Sequence, residues 1–361
     1  MPPIFAPGRV NLIGEHTDYS GGLVLPVAVD CGVTVRWRRD REAIRLRSAE
    51  FPETAELDPD GRPRSPLKGW VRYGAAVAGL LGERGRPPTG IDGAVSSTVP
   101  VGSGLSSSAA LTVSLALALC RAADFELPRL ELARVAQEAE HRAVGVPVGL
   151  MDPAASLLAR RGHALLLDCS TEQYRLVPLP PGLAIVVLDS GVRHSLEHSG
   201  YATRRAELER ALPALAGARA SEVTVEAADA AALAMGVGEV ERRRLRHVVS
   251  ENERVRACVG VFEAPGDVDR DALGALFREG HASLRDDFEV SIPELDLLVE
   301  LAYEHGAVAA RMTGGGFGGS VVALADERSA DALAASIIEA YGGQTGRPGS
   351  GRVYSSVDGA A

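Results

Sequence analysis

Two kinds of hydrophobic spacing run through the chain and change over several times along its length. Residues 23–37, Leu-Val-Leu-Pro-Val-Ala-Val-Asp-Cys-Gly-Val-Thr-Val-Arg-Trp, predict two strands, and residues 43–48 predict another. Residues 50–69, rich in Pro, Asp and Arg, predict a loop, and 70–81 a helix ended by Gly82. Residues 93–98 are strand-like and lead into a glycine-serine loop at 102–108. Residues 107–123 predict a helix that is small and apolar on every side, hence buried. A second helix is expected over 128–144, with Pro128 near its first turn. Strands at 164–168 and 183–189, a helix at 201–212 and Ala- and Arg-rich helices to about residue 305 follow. The chain then reads as a β-loop-β-α unit: 307–311, a glycine loop at 314–319, 321–324 and a closing helix. Strands mix with helices throughout, so the class is α+β or α/β. Pro178, Pro180, Pro181 and Gly182 suggest two domains, 1–180 and 181–361.

Composition then removes whole classes of function. Hydrophobic residues at 46 % and charged residues at 24 % are ordinary globular values. The longest apolar runs are too short to cross a bilayer, and no basic stretch followed by an apolar segment opens the chain. Cys31, Cys120, Cys169 and Cys258 lie far apart in apolar surroundings, which fits reduced core thiols in a cytoplasm. A net charge of −10 argues against general nucleic-acid affinity. Lys68 is the only lysine, and it follows Arg64-Ser65-Pro66-Leu67 in a loop. A Walker A loop, a protein-kinase strand lysine and a Ser-Lys dyad are thereby excluded. If the chain handles ATP, it does so with glycine loops, helix N-termini, metal and arginine.

Five segments carry candidate chemistry. In Gly102-Ser103-Gly104-Leu105-Ser106-Ser107-Ser108, two glycines allow close backbone approach and three serines run into a helix N-terminus, which suits a polyphosphate; the plain alternative is a capped helix after a flexible turn. Glu140 shares a helix face with Leu132, Ala136 and Val144, where a carboxylate is costly unless paired or bound to metal. Its structural reading is a rim glutamate paired with Arg142 or Arg134. Asp152-Pro153 reads as an N-cap with proline at the first helical position, a role compatible with facing a substrate hydroxyl. The run from Pro7 to Gly22 is the densest polar cluster, and its Glu15, His16 and Asp18 suit a polyhydroxylated ligand better than a metal. The glycine run 314–319 would let backbone approach phosphate or sugar closely.

Together these segments resemble galactokinases, within the wider GHMP kinase family that includes homoserine, mevalonate and phosphomevalonate kinases. The resemblance is carried by Gly8-Arg9-Val10-Asn11-Leu12-Ile13-Gly14-Glu15-His16-Thr17-Asp18-Tyr19, by the loop at 102–110 and by the run at 311–319. It is carried also by Ala139-Glu140-His141 leading to Gly149-Leu150-Met151-Asp152, by His194-Ser195-Leu196 leading to Tyr201, and by Ser283–Ser291. It implies an α+β, two-domain fold, with a ribosomal-protein-S5-like N-terminal domain, a ferredoxin-like C-terminal domain and the site in the cleft between them. It implies phosphorylation of the anomeric C1 hydroxyl of D-galactose by MgATP, with Asp152 as base and Arg9 as its partner. Glu15, His16, Thr17, Asp18, Gly149, Asp152 and Tyr201 would bind the sugar. Ser48, Trp70, Tyr73 and residues Gly102, Ser103, Gly104, Leu105, Ser106, Ser107 and Ser108 would bind ATP, and Ser108 and Glu140 would hold Mg²⁺. A monomer is expected, without nucleic-acid or membrane partners.

The sequence departs from the family pattern in few places. Eight residues precede Arg9, a short lead-in, while Pro153 stands where glutamine is usual and Ser320 and Ile292 stand where cysteines are common. None of these removes a proposed catalytic group. The rival readings are a kinase for N-acetylgalactosamine, galacturonate or arabinose, and a sensor that binds galactose and ATP without turnover. Such sensors lack a Ser-Ala pair in the serine loop; Ser108-Ala109 is present here.

Overall fold

The two strands expected over residues 23–37 are present, the second running from Pro26 on to Asp40, and the main sheet is built outward from it. The computed structural model describes residues 1–100, 102–145, 148–193 and 200–361. The first half contains β1 (Ile4–Asn11), β2 (Leu23–Val24), β3 (Pro26–Asp40), β4 (Ile44–Ser48), β5 (Ala55–Leu57), α1 (Val71–Glu83) and β6 (Gly90–Ser97). It continues with α2 (Ser107–Ala122), α3 (Arg129–Val144), α4 (Met151–Leu158), β7 (His163–Asp168) and β8 (Tyr174–Pro178). Its main sheet has the order β1-β3-β6-β4-β5, antiparallel except for the parallel β4–β6 pair. β2, β7 and β8 form a small second sheet.

The second half contains β9 (Leu183–Asp189), α5 (Tyr201–Ala211), α6 (Val225–Ala234), α7 (Glu239–Glu263), α8 (Arg270–Asp286), α9 (Pro293–Glu304), β10 (Ala309–Thr313), β11 (Ser320–Asp326), α10 (Ala330–Thr345) and β12 (Ser350–Tyr354). Its strands form an antiparallel sheet in the order β10-β11-β9-β12. Each half has its own apolar core, and a third cluster unites them through Val10, Leu12, Leu25, Ile185, Val187 and Phe277. Burying apolar surface from both halves in one cluster couples them more firmly than a linker alone would.

Several expectations needed adjustment. α1 runs through Gly82 to Glu83, because an exposed glycine weakens a helix without ending it. β5 lies inside the stretch expected to be loop, held by pairing to β4 rather than by its own pattern. β8 and β12 carry little periodicity and are strands because β7 and β9 offer them edges. Asp152 is not the N-cap of its helix: Leu150 holds that position, and Asp152 falls inside the first turn of α4. Its carboxylate is taken by groups outside the helix, described next.

Candidate active site

β1 is interrupted by a register shift between Pro7 and Gly8. A side chain at Gly8 would come within 2.6 Å of the Leu105 carbonyl, and the Arg9 amide donates to that same carbonyl at 3.1 Å. The irregularity thus seats the glycine-serine loop against β1 and aims Arg9 into the cleft. There Arg9 Nε donates to Asp152 Oδ1 at 2.7 Å and Nη2 donates to Oδ2 at 2.9 Å. Its remaining nitrogen, Nη1, donates to the Gly104 carbonyl at 2.5 Å. A forked pair of this kind fixes both carboxylate oxygens in one plane. The Ser106 hydroxyl also donates to Asp152 Oδ2.

Ser106 has a left-handed backbone (φ 62°) and makes no side-chain cap to α2, so the first turn of that helix keeps its amides uncapped by a side chain. Such a terminus favours anions. Arg9, Gly102–Ser108, Glu140, Asp152 and the glycines 314–316 line one cavity of about 270 Å³. Within it Ser108 donates to Glu140 Oε2 at 2.8 Å, while Glu140 Oε1 is buried without a hydrogen-bond partner. Burial, and next the Asp152 charge, push Glu140 up to about 8. The arginine pairing expected for Glu140 does not occur: Arg142 binds Glu83 and Glu138, and Arg134 binds Glu131 and Glu172. An orphaned buried carboxylate oxygen beside a hydroxyl is a hard-oxygen donor set that fits Mg²⁺. Among the described residues no group of three or more His, Cys, Asp or Glu could hold a metal, so other ligands would come from a nucleotide and water.

Asp152 also borders a second cavity of about 120 Å³, lined by Glu15, His16, Asp18, Tyr19, Gly149, Met151 and Tyr201 together with Arg9. His16 shares a hydrogen bond with the Tyr19 hydroxyl at 2.9 Å through Nδ1, and its Nε2 is buried without a partner. Burial and then His247 push His16 down to about 3, so the ring is neutral. Burial and then Asp152 push Asp18 up to about 6. Burial raises Tyr201. A Cβ at Gly149 would overlap the Asp18 carboxylate, which explains the glycine. Thr17 does not reach this cavity: its hydroxyl is fully buried against the Gly14 and Leu23 carbonyls and holds the turn.

On the other side of the glycine-serine loop, Ser48, Phe51, Trp70, Tyr73, Val95, Val99 and Leu111 enclose a largely apolar cavity of about 420 Å³ that reaches Ser107 and Ser108. The three aromatic and hydroxyl positions expected at a nucleotide are therefore together. Sequence reasoning missed Tyr19, Phe51 and Arg193. Arg193 lies against Gly102, where a side chain would strike it, and pairs with Asp189 at 2.6 Å. The position just after β9, at the mouth of the cleft, was the available signal. His194-Ser195-Leu196 lies outside the described residues. Ser320 donates to the Ser103 carbonyl at 2.8 Å, so the serine in a usual cysteine position joins the two glycine loops.

A model described as GHMP kinases N terminal domain matches residues 72–160, one described as GHMP kinases C terminal matches 267–343, and a galactokinase galactose-binding signature matches 3–39. A galactokinase of Streptomyces coelicolor is 44 % identical over 341 residues, covering 93 % of this chain and 87 % of its own. One from Chloroflexus aggregans is 45 % identical over 348 residues, covering 95 % and 88 %. A crystal structure of Lactococcus lactis galactokinase complexed with galactose has a TM-score of 0.93 at 32 % identity, over 99 % of this chain and 94 % of that one.

Proposed function

The chain belongs to the galactokinase family of the GHMP kinases, and from that premise we propose that Asp152 accepts the proton of the anomeric C1 hydroxyl of D-galactose as ATP phosphorylates it. It is a sugar kinase of mixed helices and strands with GHMP kinase N-terminal and C-terminal domains, and in this reading the first is S5-like and the second ferredoxin-like. In the transfer the O1–phosphorus bond forms, the bond from the γ-phosphorus to the β,γ-bridging oxygen breaks, and ADP and galactose 1-phosphate leave. The observation that carries the assignment of roles is the Arg9–Asp152 fork, which stands where the small polar cavity and the glycine-lined cavity meet. Phosphoryl transfer needs chiefly alignment and charge offset from the protein.

In this reading Glu15, His16, Asp18, Gly149 and Tyr201 hold the sugar, with the unpartnered His16 Nε2 facing a hydroxyl. The 102–108 loop and the α2 amides wrap the phosphates, with Arg193 beside them, and Trp70, Tyr73 and Phe51 enclose the adenine. Ser108 and Glu140 would hold Mg²⁺, which when bound offsets charge on the phosphate oxygens. The proposed division of the chain at 180/181 is supported by its position between β8 and β9, which belong to different sheets. The four cysteines are free, which supports a cytoplasmic setting, and no described helix is long and apolar enough to cross a membrane. The test is ADP release with galactose against its C2- and C4-modified analogues, with the phosphorylated carbon identified by NMR. A phosphate on any carbon but C1, or faster turnover of a modified sugar, overturns the reading.

A further inference from the structure

Beneath the sugar cavity lies a chain of buried charges that the transfer itself does not use. Arg311, on β10, is 0 % exposed, and its Nη2 lies 2.6 Å from Glu251 Oε1 and 3.2 Å from Glu15 Oε2. Glu251, on α7, is equally buried. Its Oε1 also accepts the Gly14 amide at 2.8 Å, and its Oε2 accepts Arg254 Nε at 2.8 Å. The other oxygen of Glu15 accepts the Thr313 hydroxyl at 3.1 Å and the Gly314 amide at 3.4 Å. His247 Nε2 lies 3.2 Å from the Glu15 carbonyl. The loop after β1 is thus bound from β10 and α7 at once, both elements of the second half.

Packing of apolar residues would stabilise this spot at least as well, since taking charges out of water is costly. The arrangement does something packing does not: it makes one guanidinium serve two carboxylates. We infer that the Glu251–Arg311 pair is a positioning device for sugar recognition, in which Glu251 sets the course of the loop through the Gly14 amide and competes with Glu15 for Arg311. The pair thereby fixes both the place and the charge of the carboxylate that borders the sugar cavity. This rests on the reading of Glu15 as a sugar-binding group.

The charges are divided unequally. Against the cost of burial, Arg311 and Arg254 hold Glu251 well below the usual carboxylate range. Glu15 is pushed up to about 7, by burial first and by Glu251, with Arg311, Thr313 and Arg9 opposing. An ionised carboxylate is the better acceptor for a sugar hydroxyl. A carboxylate with a raised pKa loses its charge as pH falls through that value, so kcat/KM for galactose should decline as pH drops through about 7.

Two variants separate the two parts of the device. Glu251→Gln keeps an oxygen for the Gly14 amide, removes the competing charge and leaves Arg311 to Glu15. The acid limb of kcat/KM for galactose should move to lower pH by about one unit, with KM for ATP changed less than about twofold. Glu251→Asp keeps the charge in the cluster and draws the oxygen back from the Gly14 amide and from Arg311 together. KM for galactose should then rise about tenfold, with the limb moving less than in Glu251→Gln because the competing charge stays near Glu15. An unmoved limb in Glu251→Gln, or equal rises in both KM values in Glu251→Asp, overturns the inference. If the Gln variant does not fold, the Asp variant decides alone, a rise confined to galactose supporting the inference and an unchanged galactose KM overturning it. Glu15→Gln distinguishes the premise: no change in galactose KM or in the limb removes the sugar role of Glu15. A change there with an unmoved limb in Glu251→Gln removes only the inference.

Discussion

The two ends of the cleft are built on opposite principles. At the end proposed for the sugar, Arg9, Glu15, His16, Asp18, Tyr19, Asp152 and Tyr201 line the cavity beside Gly149 and Met151, and several of these polar groups are already engaged by a second residue: Asp152 by Arg9, His16 by Tyr19, Glu15 by Arg311 and Thr313. At the end proposed for the nucleotide the surface is largely apolar, with Phe51, Trp70, Tyr73, Val95, Val99 and Leu111 beside Ser48, Ser107 and Ser108, and the indole of Trp70 spends its one donor on the Glu53 carbonyl at 3.2 Å. A site of pre-positioned hydrogen-bonding groups rejects a wrong partner strongly, because unmatched buried polar atoms are costly. An apolar slot selects by shape and discriminates by only about 1–3 kcal/mol. Substitutions at the sugar end should therefore cut deeper than substitutions at the nucleotide end.

The deepest cut is expected where the sugar and phosphate meet. Asp152→Ala removes the proposed proton acceptor and leaves Arg9 without its carboxylate, so turnover should fall by about three orders of magnitude or more. The measurement is ADP release at saturating galactose and ATP, with the circular dichroism melt as the check on folding. Turnover within about tenfold of the parent would remove Asp152 from the mechanism. Next comes Gly149→Ala. Its methyl group would occupy the place of the Asp18 carboxylate, so Asp18 must swing away. KM for galactose should rise at least about tenfold while KM for ATP holds. A rise in both would mean that the substitution disturbs α4 rather than the sugar pocket. At the nucleotide end, Trp70→Ala removes one aromatic wall, and base stacking of about 1–3 kcal/mol is the most it can lose. KM for ATP should rise about tenfold, with KM for galactose unchanged. A larger loss at Trp70 than at Gly149 would invert the comparison.

How far the site was legible in the sequence follows the same division. The glycine-serine loop and the helix after it announced themselves, because Gly102, Gly104 and Ser106 all need left-handed backbone and their order along the chain is their order in space. Asp152 was harder: Asp-Pro is a common helix start, and the groups that claim its carboxylate, Arg9 and Ser106, lie 143 and 46 residues away. The same holds below the sugar, where Arg311, Glu251 and Glu15 come from three distant segments and show no common spacing. Glycines with tight surroundings, such as Gly149 against Asp18, also look like any other glycine until the fold is known. Local backbone chemistry is written along the chain; buried charge pairing is written only in the tertiary structure.

Glu140 stands between the two ends, and the smallest expected effect tests its isolation. Its neighbour two positions on, Arg142, points elsewhere, as i and i+2 residues of a helix must. Arg142 makes a forked pair with Glu83 at 2.7 and 2.9 Å and a further bond to Glu138 at 2.7 Å, all on the exposed side of α3. Exposed pairs of this kind contribute little, because solvent screens them and two long side chains lose freedom in forming them. Arg142→Ala should therefore lower Tm by no more than about 2 °C. Both KM values and turnover should match the parent, because nothing in the pair reaches Ser108, Asp152 or the glycine loop. A shift confined to the apparent Mg²⁺ requirement would mean that the arginine field does reach Glu140 through the helix. The carboxylate would then belong to a surface network as well as to the cleft.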